Sequence, residues 1–179
     1  ARAHGGDLTA ETGPRGAPLL RHVSLSVPRG GSHVVLGPMH SGKSTLLRLV
    51  LGLDRAESGR VTIDGSTFDA AHATEDQLRQ VRRRVGVVFD SSALVSRLTL
   101  LENVTLPLAE HTTVGADQAR ATATGLLHDV GVSGDLERTP DKLTRLDRRR
   151  AALARALVLE PAVLLVDEPG NGLDPHAAA

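Results

Sequence analysis

The first run whose residue types and spacing indicate a chemical role lies at positions 37–45 and reads Gly-Pro-Met-His-Ser-Gly-Lys-Ser-Thr. The run fits the pattern G-x-x-x-x-G-K-[ST], in which successive backbone N–H groups wrap a chain of phosphates. In such a loop the Lys43 ammonium reaches the outer phosphates, and the Ser44 hydroxyl binds Mg²⁺. The predicted phosphate-binding residues are Gly37, Pro38, Met39, His40, Ser41, Gly42, Lys43, Ser44 and Thr45. The alternative is a glycine-rich turn that carries a lysine by chance, although Lys43 is one of only two lysines in the chain.

A second candidate group is the carboxylate pair Asp167 and Glu168, which follows the aliphatic run 163–166. A buried strand that ends in acid places charge at the edge where open α/β sheets bind ligands. Asp167 is predicted to hold Mg²⁺ through water, and Glu168 to accept a proton from an attacking water. Lys43 and Glu168 are therefore the predicted catalytic residues. The alternative is a strand end that is simply capped by solvated acids.

The elements around the loop fit this interpretation. Residues 33–36 predict a short buried strand, and residues 44–51 predict an amphipathic helix that Gly52 ends. Strand, glycine-bounded loop and helix is the order that a phosphate-binding loop requires.

Alternating or apolar runs elsewhere predict further strands, and capping patterns predict helices. The predicted strands are 22–27, half-buried; 60–63, followed by a hairpin turn at 64–65; 85–89, buried; and 162–166. Two predicted helices begin at the capping boxes of Thr74 and Thr99, and the second of these meets Pro107. Two more cover residues 116–130 and 147–159. Strands and helices alternate at both ends around a helical block, which predicts an α/β fold with a helical insertion. We expect a loose lead-in over 1–18 that could hold one weak strand, a core over 19–90 and 160–179, and a helical subdomain over 91–159.

Composition narrows the class of protein. The 179-residue chain has zero net charge and 1% aromatic residues, which argues against a general polyanion binder and against nucleic-acid binding by base stacking. It contains no cysteine, so disulfides are excluded. No apolar run approaches the roughly 20 residues of a membrane span, and no signal peptide is visible. The chain begins at Ala1 and ends in three alanines, which is typical of a fragment or a trimmed chain.

The arginine runs 82–84 and 148–150 are predicted to lie on solvated helix faces.

The order of these motifs resembles the nucleotide-binding domain of ATP-binding cassette (ABC) transporters over about residues 18–175. The resemblance is carried by loop 37–45, Val-Asp-Glu-Pro at 166–169, Gly-Leu-Asp-Pro at 172–175 and the helix-like run 150–157. It implies a P-loop NTPase (RecA-like) core with a helical insertion, from which the C-terminal part is missing. It also implies ATP and Mg²⁺ as ligands, a membrane permease as partner, and a homo- or heterodimer with another ATP-binding subunit at the cytoplasmic membrane.

Runs 91–94, 101–108 and 110–112 are most similar to the ATPases of Mla and Mce-type phospholipid transporters. Loop 90–98 takes the place where the family docks its permease, and an ordinary exposed loop is the alternative.

Several positions depart from the family pattern. The family signature Leu-Ser-Gly-Gly-Gln becomes Leu-Thr-Arg-Leu-Asp at 143–147, although Thr144 can still cap a helix. The glutamine expected after Phe89 is Asp90, which is predicted to bind the metal by charge. The loop carries Met39 and His40 where small residues are usual, and no aromatic residue precedes Phe68 to stack on adenine. The family's switch histidine and its strand do not follow before the last residue.

Three hypotheses therefore stay open: an ATPase subunit that powers lipid or other transport, a non-catalytic nucleotide-binding or scaffold subunit, and an inactive fragment. The two carboxylates and Lys43 favour the first. Asp90, Arg145 and Leu146 favour the others.

Overall fold

The structure is a computed structural model of the chain, and it describes residues 5–11 and 18–170. The chain divides into two compact units, unit 1 up to residue 84 and unit 2 from residue 85. The run 172–175 and the other residues predicted beyond position 170 lie outside the described residues.

Unit 1 is a four-stranded antiparallel sheet with two helices. Its strands are β1 (Gly5–Glu11), β2 (Pro18–Val23), β3 (Ser58–Ile63) and β4 (Ser66–Asp69), in the order β2-β1-β3-β4. Its helices are α1 (Lys43–Val50) and α2 (Glu75–Arg82).

The hairpin between β3 and β4 confirms the predicted turn. Ile63 pairs with Ser66, so the loop has two residues, and both have positive φ: 45° at Asp64 and 80° at Gly65. That geometry matches the right-handed twist of the strands, which is why Asp-Gly is a strong hairpin signal.

Helix α1 ends as predicted at Gly52. Gly52 has φ 61°, and the N–H of Leu53 donates to the Arg48 carbonyl at 2.8 Å, which forms a glycine-based helix stop. Arg82 of α2 adds hydrogen bonds to the carbonyls of Leu51 and Gly52, at 3.0 and 2.8 Å. Arg82 is therefore a helix anchor, and its prediction as part of a solvated arginine face is wrong.

One strand prediction in unit 1 is wrong, and a second is confirmed only in part. Residues 33–36 lie outside both sheets, and their side chains are exposed, Leu36 at 87%. The run 22–27 is strand only to Val23, although Leu25 and Val27 stay less exposed than the serines beside them. An apolar run favours a strand, but a strand also needs a hydrogen-bonding neighbour, which the local sequence does not specify.

The weak strand that the sequence suggested within the lead-in 1–18 is confirmed at Gly5–Glu11. This strand pairs with β2 on one side and with β3 on the other. Pairing on two sides supplies the stabilisation that this glycine-containing sequence lacks by itself.

Unit 2 is built of three helices and a two-stranded parallel sheet. Its elements are β5 (Val85–Val88), α3 (Leu100–His111), α4 (Ala116–Asp129), a short 3₁₀ turn (Pro140–Lys142), α5 (Arg145–Leu157) and β6 (Val163–Val166). The helices pack their apolar faces around one cluster, in which Leu100, Val104, Leu127 and Ala151 have no more than 1% exposure.

The helix signals of the sequence are confirmed in both units. Thr74 and Thr99 form reciprocal capping boxes with Gln77 and Glu102, and α4 matches the predicted helix to within one residue. Helix α3 continues through Pro107 to His111 instead of stopping at the proline. Strand β6 is less buried than expected, since Leu164 and Val166 are 40% and 37% exposed.

The buried amide of Asn103 ties the loop after β5 to helix α3. Asn103 is fully buried; its Oδ1 accepts from the Val95 N–H at 2.8 Å, and its Nδ2 donates to the carbonyls of Val95, Leu98 and Thr99. Arg155 of α5 holds the same loop through the Ser92 and Ala93 carbonyls, and burial lowers the pKa of its guanidinium. The loop is thus fixed by two side chains from unit 2.

The mixed sheets and helices confirm the predicted α/β class. Within the described part of the chain, none of the helices is both long enough and apolar enough to span a lipid bilayer. The predicted domain bounds at residues 18, 90 and 159 stay a prediction.

Candidate nucleotide-binding site

The predicted phosphate loop curls between residue 37 and helix α1 in unit 1. The Ser41 N–H donates to the Pro38 carbonyl at 3.4 Å, and two loop residues are left-handed, His40 with φ 62° and Gly42 with φ 93°. Glycine adopts this conformation freely, and histidine is among the side chains enriched in it. The curl therefore forms despite His40. The bulk of Met39 does not fill the loop, because its side chain is 80% exposed.

Lys43 folds back across the opening of this loop. Its Nζ donates to the carbonyls of Gly37 and Pro38, both at 3.0 Å. A Cβ at Gly37 would lie 2.7 Å from the Ser41 Oγ, so the serine side chain would have to turn away. The loop is thus an exposed backbone curl with an ammonium at its opening.

The N-terminus of α1 adds a second source of positive potential. Helix α1 begins at Lys43, its N-cap Gly42 provides no side-chain cap, and no acidic residue lies in its first turn. The first N–H groups of a helix have no acceptor within the helix, and the helix dipole favours an anion beside them. Loop and helix end together fit the phosphate chain of a nucleotide, with Ser44 exposed at the helix start.

An ion pair holds the far end of α1. The Arg48 Nε lies 2.7 Å from the Asp54 Oδ2, and the second guanidinium nitrogen lies 2.8 Å from the Oδ1. Hydrogen bonds from Arg48 lower the pKa of the Asp54 carboxyl, with partial burial opposing the shift. A lowered folded pKa means that the pair stabilises the fold above the unfolded pKa, and that this stabilisation is lost as pH falls through the folded value.

Asp54→Asn should lower the free energy of unfolding by about 0.5–1 kcal/mol at neutral pH, because the pair is well aligned but half exposed. The difference should begin to shrink below about pH 4, where the carboxyl of the unfolded chain becomes protonated, and should disappear as pH falls through the lowered pKa of the folded state. Urea denaturation of the wild type and of the Asp54→Asn variant over a pH series measures this difference. An equal loss in an Arg48→Met background would show that the ion pair is not the cause.

The two carboxylates stand at the end of β6 in unit 2. The Asp167 N–H donates to the Val88 carbonyl at 2.8 Å and so extends the β5–β6 pairing by one residue. Asp167 is 8% exposed, whereas Glu168 is half-buried and has φ 47°. A carboxylate with little access to water suits a role beside a bound cation.

The degenerate signature stretch still begins a helix. The Thr144 Oγ1 accepts from the Asp147 N–H at 3.0 Å, as predicted, so Thr144 caps α5. Arg145 is exposed and Leu146 half-buried at the first two helical positions. Their side chains occupy the helix start where the family has glycines.

Arg149 is the buried charged residue beside the end of β6 that the sequence interpretation missed. It was predicted to lie on a solvated face, but it is 7% exposed and contacts two other segments of unit 2. Its Nη1 donates to the Glu168 and Pro169 carbonyls at 2.7 and 2.6 Å, and its Nη2 donates to the Asp90 Oδ1 at 2.7 Å. An aspartate where a neutral residue is expected, together with an arginine run, was a signal for this charge pair.

The predicted site residues thus fall into two groups. Unit 1 brings together the loop residues 37–45, and unit 2 brings together Asp90, Arg149 and the end of β6. In unit 1 the curl, the ammonium and the Ser44 hydroxyl fit a phosphate chain chemically, and in unit 2 the buried Asp167 fits a cation. That both groups act on one nucleotide stays a prediction.

These features define a nucleotide-binding domain of the P-loop class. Residues 20–171 match the family model for ABC transporters, and the chain belongs to that family. Its structure is similar to a dimeric ATP-binding cassette in a post-hydrolysis state bound to ADP and Pi. The TM-score is 0.87 at 29% sequence identity, and the match covers 99% of this chain and 78% of that chain. A subunit of an ABC transporter complex from Clostridium perfringens gives a TM-score of 0.81 at 26% identity, with coverage of 98% and 68%.

Curated relatives are named for different cargoes. The chain is 40% identical to the probable ribonucleotide transport ATP-binding protein mkl of Mycobacterium leprae, over 88% of this chain and 45% of that protein. It is 39% identical to the methionine import ATP-binding protein MetN 1 of Rhodococcus jostii, over 92% and 48%. It is also 39% identical to the intermembrane phospholipid transport system ATP-binding protein MlaF of Escherichia coli K12, over 88% and 58%. The chain spans about half the length of these relatives.

Proposed function

We propose that this chain is the ATP-binding part of an ABC transporter and that it couples the binding and hydrolysis of Mg²⁺-ATP to transport. The observation that carries the proposal is the loop before α1, whose left-handed residues curl the backbone and whose Lys43 ammonium lies 3.0 Å from two loop carbonyls. Few functions other than phosphate binding require such a curl at a helix N-terminus.

Each site residue has a defined role in this proposal. Backbone N–H groups of loop 37–45 and the start of α1 hold the phosphates, and Lys43 contacts the outer ones. Ser44 and Asp167 hold Mg²⁺, which neutralises charge on the phosphates when it is bound. Glu168 orients the attacking water and accepts its proton.

The transport partners follow from the family. We propose that the chain works as a homo- or heterodimer with another ATP-binding subunit and attaches to a membrane permease on the cytoplasmic side. Loop 90–98 is the proposed permease contact, supported by the way in which Asn103 and Arg155 fix its backbone. Phospholipid is the proposed cargo, supported by runs 91–94 and 101–108 and by the likeness to MlaF. The chain is about equally similar to relatives that are named for other cargoes, so phospholipid is the most specific part of the proposal.

A non-catalytic nucleotide-binding subunit is the second candidate. Arg145 and Leu146 at the start of α5 favour it, because two side chains stand where the family closes bare backbone on the γ-phosphate. Loss of one transition-state contact costs roughly 10²–10³ in rate, and losses within one site are not additive.

One experiment separates the candidates. The purified chain is titrated with Mg²⁺-ATP by calorimetry, and phosphate release is then measured at saturating ATP, with and without a candidate permease. Binding with release supports the ATPase, whereas binding without release in either condition supports the non-catalytic subunit. No binding at millimolar ATP would contradict both.

A further inference from the structure

A buried guanidinium joins three separate segments of unit 2. Arg149 lies near the start of α5, and its two terminal nitrogens reach Asp90, the second residue after β5, and the two residues that follow Asp167. A buried charge is costly unless it is paired and hydrogen-bonded. Here the nitrogens make three contacts of 2.6–2.7 Å, while the Nε has no partner within the described part of the chain. The side chain is therefore oriented by its terminal nitrogens.

The backbone that Arg149 holds is in an unusual conformation. Glu168 has φ 47°, in the left-handed region that residues other than glycine, asparagine, aspartate and histidine rarely adopt. Such residues persist where the surroundings over-determine them. On one side the preceding N–H of Asp167 is held by the Val88 carbonyl at 2.8 Å. On the other side the carbonyls of Glu168 and Pro169 are both held by one nitrogen of Arg149.

Asp90 supplies the charge that this guanidinium needs. Its Oδ1 lies 2.7 Å from the Arg149 Nη2, and its backbone carbonyl oxygen lies 3.4 Å from the same nitrogen. The carboxylate is 42% exposed and the guanidinium is 7% exposed, so the pair lies at the edge of the buried region. A neutral glutamine at position 90 would leave the buried arginine without a counter-ion.

We propose that Arg149 is a positioning residue that sets the backbone of Glu168, and that Asp90 acts as its counter-ion and not as a ligand of Mg²⁺. The Asp90 carboxylate, which stands where the family has glutamine, then serves the buried guanidinium of Arg149. The catalytic part of this inference rests on the proposed function, but the backbone part does not.

The backbone part is tested by hydrogen–deuterium exchange of the full chain without nucleotide. Arg149→Lys keeps the charge but cannot reach both carbonyls and Asp90 at once, so amides of 166–170 should exchange roughly ten- to a hundredfold faster. Amides of α4 serve as an internal reference and should not change, and Arg148→Met on the same helix should leave 166–170 unchanged. Unchanged exchange at 166–170 in Arg149→Lys, or equal acceleration in α4, would overturn the proposal.

The role of Asp90 is tested by variants that separate charge from metal binding. If Asp90 serves Arg149, Asp90→Ala should accelerate hydrogen exchange at 166–170. In a chain that already carries Arg149→Met, the further change Asp90→Ala should accelerate this exchange by less than about twofold. The Mg²⁺ concentration for half-maximal ATP binding should stay within about twofold in Asp90→Asn, since no ligand is lost. A rise of tenfold or more would make Asp90 a metal ligand and overturn this part.

Turnover adds a readout that general loss of stability would not mimic. Arg149→Lys should lower kcat for ATP hydrolysis while KM for Mg²⁺-ATP stays within about twofold, because Glu168 acts on the water and not on the nucleotide. An equal rise in KM would contradict the positioning role. If the wild-type chain binds no ATP, the proposed function fails, and the exchange experiment alone still decides the inference about the backbone.

Discussion

Replacing Lys43 with alanine should weaken the binding of Mg²⁺-ATP by roughly 10- to 100-fold, the range that loss of a hydrogen bond to a charged group gives. The ammonium lies at the opening of loop 37–45, 3.0 Å from the carbonyls of Gly37 and Pro38. From there it can exchange its contacts with the loop for contacts with phosphate oxygens, and alanine can do neither. Equilibrium titration with a fluorescent ATP analogue measures the change.

Lys142 offers a matched control, because it is the other lysine of the chain and is exposed on the 3₁₀ turn of unit 2. Lys142→Ala removes the same charge from the chain and should leave the affinity within about twofold. Equal weakening by both variants would show that Lys43 acts only through net charge. Unchanged affinity in Lys43→Ala would mean that the nucleotide binds elsewhere.

Asn103→Ala should reduce the free energy of unfolding by about 2–5 kcal/mol, the largest effect on stability that we expect from a single polar residue. The fully buried amide makes four hydrogen bonds to the backbone of the loop after β5. Alanine would leave the Val95 N–H and several carbonyls without these partners and would open a small void against α3. Urea denaturation followed by circular dichroism measures the loss.

Gln118→Ala is the control for Asn103, because it removes an amide from an exposed position of helix α4 in the same unit. It should change the free energy of unfolding by less than about 0.5 kcal/mol. A loss below 1 kcal/mol in Asn103→Ala would mean that water or a rearranged loop replaces the amide. The loop would then be less firmly held than the structure indicates.

Local signals predicted the fold where the structure is decided locally. The Asp64–Gly65 hairpin, the two capping boxes and the stop at Gly52 depend on residues within one or two turns of each other. Residues 33–36 show the opposite case. Their apolar sequence favours a strand, but a strand forms only where a neighbour pairs with it, and that depends on distant parts of the chain.

The same distinction explains the site. The phosphate loop is contiguous, so its pattern predicted a backbone curl around the phosphates. Arg149 could not be recognised in the same way, because its partners at 90 and 168–169 are 59 and 19–20 residues away. An arginine run usually lies in solvent, and only the fold shows which member is buried. The unexpected charge at Asp90 was the one local sign of the pair.

The central claim is that loop 37–45 binds the phosphate chain of ATP, and a comparison of nucleotides tests it most directly. The chain is titrated with ATP, ADP, AMP and adenosine in the presence of Mg²⁺ under identical conditions. Affinity should fall at each loss of a phosphate, with roughly tenfold or more between ATP and AMP, because the loop and Lys43 contact the outer phosphates. Equal affinity for all four compounds, or binding of none of them, would contradict the claim.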